Sequence, residues 1–293
     1  MDKIAALTKQ AKKIYDAGGV PIELIGEIAD YCIKLLNPLE VLPYKFPNGG
    51  KNYVVFSGNK EISRPIVKDI YISSHTEFAR QWALLTDALE NKSISKFPKE
   101  TVNSVLYTAA ISYSACFDIW KKKSRKTPGT YFEILLGSIL TLVLGDFKRS
   151  KFISLPNQSE SVSTDIVFDN GVLGIVVPAK ITTRERIVQP YAHQRILDSI
   201  FGKERYKSIL VCVSETQRDD ENQQVNEICV PGTIKLFQEH LSQLHAIYYL
   251  DPPARYMQAD LKQIVKVSTL GDLITKDIFV ISKAKTKAQA VLC

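Results

Sequence analysis

The stretch STDIVFDNGVLGIVVPAK, residues 163–180, decides how this chain folds. Two runs rich in β-branched and aromatic residues, 163–168 and 172–177, flank Asp169, Asn170 and Gly171. Asn-Gly between apolar runs is a strong short-range signal for a β-hairpin. Successive side chains on a strand point to opposite faces, so the register follows from arithmetic. With Asn170-Gly171 as a two-residue turn, paired positions sum to 341, and Asp165 opposes Val176 on a face that continues at Pro178 and Lys180. Asp165 and Lys180 then share a face but are offset by about 13 Å along the strand. A four-residue loop from Asn170 to Leu173 makes the sum 343, keeps the face and shortens the offset to two residues. A shared site requires that longer loop or a bend in the strand.

Working outward, residues 131–144 are apolar nearly all round, the mark of a helix buried in a core. Downstream of Lys180 the pattern predicts a helix restarting at Pro190 and stopping at Gly202, and a buried strand over 208–213. A helix over 232–244, entered through Pro231, then leads to a second buried strand over 246–250, closed by Asp251-Pro252-Pro253. Helix, hairpin, helix, strand, helix, strand describes an α/β fold with a mixed central β-sheet flanked by helices. Residues up to 91 read mainly as helices with one strand at 53–57, and another helix covers 101–120. The basic run Lys121-Lys122-Lys123-Ser124-Arg125-Lys126 reads as a solvated linker, with phosphate contact as its functional alternative. The expected organisation is a mainly helical N-terminal region, 1–125, and a sheet-containing core, 126–293.

The chain has 293 residues, 45% of them hydrophobic, enough to bury a sizeable core. Its formal charge of +7 favours polyanionic partners, nucleic acid among them. Cys32, Cys116, Cys212, Cys229 and Cys293 are widely spaced and form no CxxC pair, so they read as thiols of a reducing compartment. The N-terminal pattern is an amphipathic helix rather than a signal peptide, and the apolar run 134–145 is shorter than the roughly 20 residues that span a bilayer. A cytoplasmic protein with no membrane contact is expected. His75, His240 and His245 have no ligand-like spacing, and no G-x-S-x-G, P-loop or dinucleotide fingerprint occurs.

The chemistry gathers around the hairpin. An aspartate and a lysine converging from it, with another carboxylate near, suit a divalent cation and an activated water. Asp165 and Lys180 are the first two groups, and Glu133, near the start of the buried helix, is the candidate for the third. Glu133 has a rival role, because Thr130-Tyr131-Phe132-Glu133 fits a capping box. Thr182-Thr183-Arg184-Glu185 fits the same pattern, which makes Glu185 a cap rather than a ligand and places Arg184 at a helix N-terminus suited to phosphate. Arg184, Arg186, Gln189, His193, Gln194 and Arg195 carry the donors that read base edges, although a solvated helix face contains similar residues.

In the order Glu133, Asp165, Lys180, followed by KITTRERIVQPYAHQRIL (180–197) and the later AIYYLDPPARY (246–256), the sequence resembles the PD-(D/E)XK nuclease superfamily, and in particular type II restriction endonucleases. The resemblance covers residues 131–256. It implies a restriction-endonuclease-like fold and Mg²⁺-dependent hydrolysis of double-stranded DNA at a specific sequence, leaving a 5′-phosphate. It further implies Asp165, Glu133 and the Ala179 carbonyl at the metal, Lys180 acting on the attacking water, and a homodimer matched to a palindromic site. Arg184, Arg186, Gln189, His193 and Arg195 are the expected DNA contacts. Two positions depart from the motif: Thr164 stands where it has proline, and Pro178 where it has a second acid two residues before the lysine. A less specific nuclease and a DNA-binding protein with a decayed site are the alternatives.

Overall fold

The structure, a computed structural model, describes residues 1–122, 124 and 126–283, with the side chains of Arg184, Glu185, Asp260 and Lys262 outside the description. Helices α1 (Asp2–Asp16) and α2 (Ile22–Leu36) precede a small sheet of β1 (Glu40–Tyr44), β2 (Tyr53–Gly58), β3 (Glu61–Ile62) and β4 (Ile66–Val67). Helices α3 (His75–Glu90), α4 (Lys99–Trp120) and α5 (Thr127–Val143) follow. Next come β5 (Lys148–Ser154), β6 (Ser161–Asp169), β7 (Gly174–Val177), β8 (Ala179–Lys180), α6 (Val188–Phe201) and β9 (Tyr206–Cys212). A hairpin of β10 (Thr216–Asp219) and β11 (Gln224–Glu227) leads to α7 (Pro231–His240), β12 (Ala246–Tyr249), β13 (Lys266–Thr269) and a helical segment over 270–283.

The central sheet has seven strands in the order β13-β12-β9-β7-β6-β5, with β8 continuing β7 along β9. Strand β6 runs antiparallel to both of its neighbours, β5 and β7, whereas β7, β9, β12 and β13 run parallel. This is the mixed, helix-flanked sheet expected from the sequence. Period-two alternation divides its side chains between two faces. Ile209, Val211 and Val213 join the larger cluster with α4 and α5, while Leu210 and Cys212 face Tyr191, Ile234 and Tyr256 in a second cluster. The larger cluster runs from Ile4 to Ile281, so α1 and α2 share one core with the sheet.

One alternative left open by the sequence is decided here, and one expectation is corrected. The hairpin has the four-residue loop: Ile166 pairs with Val177 and Asp169 with Gly174, a sum of 343. Asn170 explains it, because its side-chain oxygen accepts the Val172 and Leu173 N–H groups while Gly171 takes φ +88°, closing a wider turn than Asn-Gly alone. The N-terminal region also holds four strands in place of one. Its sheet is tied to the β10–β11 hairpin, for Lys45 N–H donates to the Gln223 carbonyl and Val225 N–H to the Lys45 carbonyl.

The basic run 121–126 falls partly outside the described residues, as does Cys293. The other four cysteines are buried thiols. Among the described residues, no helix is long and apolar enough to cross a membrane.

Candidate active site

Asp165 and Lys180 meet. The register brings Asp165 opposite Pro178, and Pro178 interrupts the edge between β7 and β8, so the chain resumes with Ala179 and Lys180 beside the carboxylate. Asp165 Oδ2 accepts the Ala179 N–H at 2.8 Å and the Lys180 ammonium at 2.7 Å. An extended residue directs its N–H and C=O to the same edge, so the Ala179 carbonyl also faces the Asp165 side. Across β6 the ladder with β5 is irregular: Ser150 pairs with Val167 and Phe152 with Ser163, leaving only Lys151 opposite residues 164–166. Such bulges re-aim side chains and are frequent beside active sites. The two side chains border a pocket of about 10 Å³, roughly one water's worth, with Thr164, Pro178, Gln189, Pro190 and His193. Burial and then the Lys180 charge push the His193 pKa down, against a smaller opposing pull from Asp165.

Glu133 stands at the edge of this site in the grip of another residue. Its capping role is overturned, because α5 begins at Thr127 with Pro128 in its first turn, and the Thr130 hydroxyl donates to the Lys126 carbonyl inside the helix. Glu133 Oε1 instead lies 2.5 Å from Lys151 Nζ, an ammonium also 3.8 Å from Asp16. Burial raises the Glu133 pKa and Lys151 opposes that, while the charges of Asp165 and Asp16 add to the rise. Glu133 is therefore an electrostatic neighbour of Asp165 but paired elsewhere. Among the described residues no three His, Cys, Asp or Glu side chains are arranged to hold a metal ion.

Beyond Lys180 the chain passes Thr183 into a 3-10 turn, Arg184–Ile187, and then α6, which starts two residues before the expected Pro190. Thr183, not Thr182, is the cap residue, and it makes no side-chain cap bond. The capping reading of Glu185 and the contact assigned to Arg184 depend on side chains outside the described residues. Arg186 and Gln189 are exposed, and Gln189 and His193 line the Asp165 pocket. Arg195 is not brought to it, lining a groove with Lys203, Lys207 and His240 at the opposite end of β9. Gln194 is only 2% exposed and does not face outward; its amide donates to Asp198 and to the Tyr206 carbonyl and accepts from Ser208 N–H.

No protein-family model and no curated protein matches the chain. Among solved structures, the crystal structure of the type IIP restriction endonuclease Kpn2I superimposes with a TM-score of 0.87 at 36% sequence identity, over 97% of this chain and 98% of that one. The chain belongs to the type II restriction endonucleases. A complex of the restriction endonuclease PspGI with substrate DNA is far more distant, at 13% identity and a TM-score of 0.41 over 70% of this chain and 91% of that one. As a type II restriction endonuclease the chain is a site-specific deoxyribonuclease, and its likeness to Kpn2I includes the helical N-terminal region that the sequence left without a family.

Three charged residues with long-range partners escaped sequence reasoning. Lys151 lies on a charged edge strand whose alternation is broken by the bulge. Glu215 is fully buried below Thr183, and Asp251, also buried, receives Lys51 and Tyr53 at the carboxyl end of β12. A lone acid after a strand carries no local signal of such long-range partners.

Proposed function

We propose that this enzyme hydrolyses phosphodiester bonds at a specific sequence of double-stranded DNA with Mg²⁺, using Asp165, Lys180 and Glu133. The observation that carries the reading is the Asp165–Lys180 contact at 2.7 Å beside the exposed Arg186 segment. Asp165, with one carboxylate oxygen already taken by Lys180 and Ala179, keeps the other for a cation, and the Ala179 carbonyl shares that edge. This donor set fits Mg²⁺, which is held through one or two carboxylates plus substrate phosphate and water. Bound there, Mg²⁺ supplies charge neutralisation at the phosphate and a more acidic water.

The remaining work falls to the protein. Lys180 holds its ammonium at the pocket mouth, where it orients the attacking water and stabilises charge on the pentavalent phosphorus. Water adds to phosphorus in line and loses a proton to solvent, the bond to the 3′ oxygen breaks and that oxygen takes up a proton, leaving a 3′-hydroxyl and a 5′-phosphate. Glu133 would be the second carboxylate to hold the ion, on release from Lys151. Arg184 and Arg186 meet the DNA, with Gln189 and His193 beside the scissile phosphate, and Arg195 a more distant backbone contact. A homodimer places two such sites on the two strands, with residues 1–125 supplying dimer surface or clamp around the 126–293 core.

Pro178 in the place of the motif acid, together with Lys151 on Glu133, favours one second reading: a DNA-binding protein whose cleavage is weak or lost. One digestion separates the two. With Mg²⁺, a fully sequenced phage DNA should give discrete bands whose ends map to one sequence. Retention of DNA without cutting in either Mg²⁺ or Mn²⁺ selects the second reading, and a smear selects a non-specific nuclease.

A further inference from the structure

Glu215 is 0% exposed, and both of its oxygens accept the backbone N–H of Thr183, at 2.9 and 3.2 Å. The Tyr249 hydroxyl donates to Oε1 at 3.2 Å. The main chain around Glu215 is fixed as well, since Ser214 N–H donates to the Ile181 carbonyl and Ile228 N–H to that of Glu215. Thr183 opens the short turn that carries Arg184 and Arg186, and its carbonyl accepts Arg186 N–H at 2.9 Å. Four residues on, Ile187 is 4% exposed and packed with Tyr249 and Tyr256 in the second core. The turn is therefore pinned at both ends, by an apolar side chain at 187 and by a buried carboxylate at 183, with Arg186 exposed between them.

The two pins differ in kind. A leucine would hold the turn by contact alone, whereas a buried carboxylate must have its oxygens partnered, and here both accept the Thr183 amide. What the carboxylate adds is direction: two oxygens fix the Thr183 amide, and with it the orientation in which the next residues leave the core. A guanidinium reads a base edge only when its planar fork is correctly aimed, and small errors of approach degrade that contact before they affect phosphate binding.

We propose that Glu215 is a positioning residue for sequence discrimination, holding the Thr183–Arg186 turn in the orientation that reads DNA. The role rests on the proposed DNA-facing function of that turn. Glu215 itself touches neither DNA nor metal.

The preferred site is first found by selection from random duplexes. Binding is then compared between that site and duplexes with one base pair changed, alongside thermal unfolding and salt-dependent binding to unrelated DNA. Glu215→Leu should lower the ratio of preferred-site to altered-site affinity by about tenfold, the scale of one lost base contact, with unrelated DNA bound as before. Glu215→Gln keeps an acceptor for Thr183 N–H and should recover part of the ratio. Tyr249→Phe removes only the hydroxyl on Oε1 and should shift it the same way by less, which serves if the Glu215 variants fail to fold. An unchanged ratio in folded variants, or equal losses on all DNAs, overturns the proposal. Arg186→Ala distinguishes the failures: if it alters neither affinity nor ratio, the DNA-facing reading of the turn is wrong. If it does alter them while the Glu215 and Tyr249 variants leave the ratio intact, only the positioning role falls.

Discussion

Replacing Lys151 should make the protein less stable without metal and more responsive to Mg²⁺. Its ammonium lies 2.5 Å from Glu133, with side chains 39% and 19% exposed respectively. Exposed pairs contribute about 0–1 kcal/mol and breaking a fully buried pair costs about 3–5 kcal/mol. A half-covered pair falls between them, so Lys151→Met should cost about 1–2 kcal/mol at pH 8. In a domain of this size that is a fall of several degrees in Tm, on the order of 3 °C. Glu133→Gln removes the charge that Lys151 balances, so in the double variant the second change should cost much less than it does alone. Freed from Lys151, Glu133 can turn to a cation beside Asp165, and a tenfold gain in Mg²⁺ affinity adds about 1.4 kcal/mol of stabilisation at saturation. Thermal unfolding of wild type, both single variants and the double variant, in EDTA and in Mg²⁺, reads both effects. Single effects that add to within about 0.5 kcal/mol, or Mg²⁺ stabilising Lys151→Met no more than wild type, would refute the pairing and its competition with the ion.

Two further outcomes concern the frame around the site. Burial opposes ionisation of Asp272, but bonds from Lys99, Ser268 and Thr269 outweigh it and hold the carboxyl at about 2, below its ordinary 3.8. Its folded pKa is depressed, so its stabilisation, about 2 kcal/mol, is complete above pH 4 and lost as pH falls toward 2. Urea unfolding should find Asp272→Asn weaker than wild type at pH 7 and the gap closing below pH 3; a gap independent of pH contradicts this. Gly137 on α5 leaves no room for a Cβ because the Tyr15 ring of α1 packs onto it. Gly137→Ala should cost about 1–3 kcal/mol and expose the amides of α1 to exchange, and an unchanged Tm would refute that contact.

Much of the fold was legible because it depends on short-range pattern. The apolar runs of β9 and β12 alternate between two buried faces, and Pro231 and Asn170-Gly171 act through local backbone chemistry. The convergence of Asp165 and Lys180 on one face was legible too, since parity along a strand survives any even shift of register. The loop length was not, because it turns on which amides Asn170 accepts. The helix starting at Thr127 was readable from Pro128, yet the stronger-looking Thr130–Glu133 spacing concealed it. Gln194 could have been found by period, for it shares the buried stripe of Tyr191 and Leu197. Lys151, Glu215 and Asp251 act through partners far away in sequence, Glu215 on Thr183 and Asp251 on Lys51, and no local pattern encodes such distances.

The Asp165–Lys180 pocket is proposed as the place where DNA is cut. Its most direct test is single-turnover cleavage by Lys180→Ala beside wild type, with DNA binding and Tm measured on the same preparations. Cutting should fall by several orders of magnitude while the fold and most of the affinity for the preferred duplex remain. A folded Lys180→Ala protein that still cuts that duplex at close to the wild-type rate would place the chemistry elsewhere.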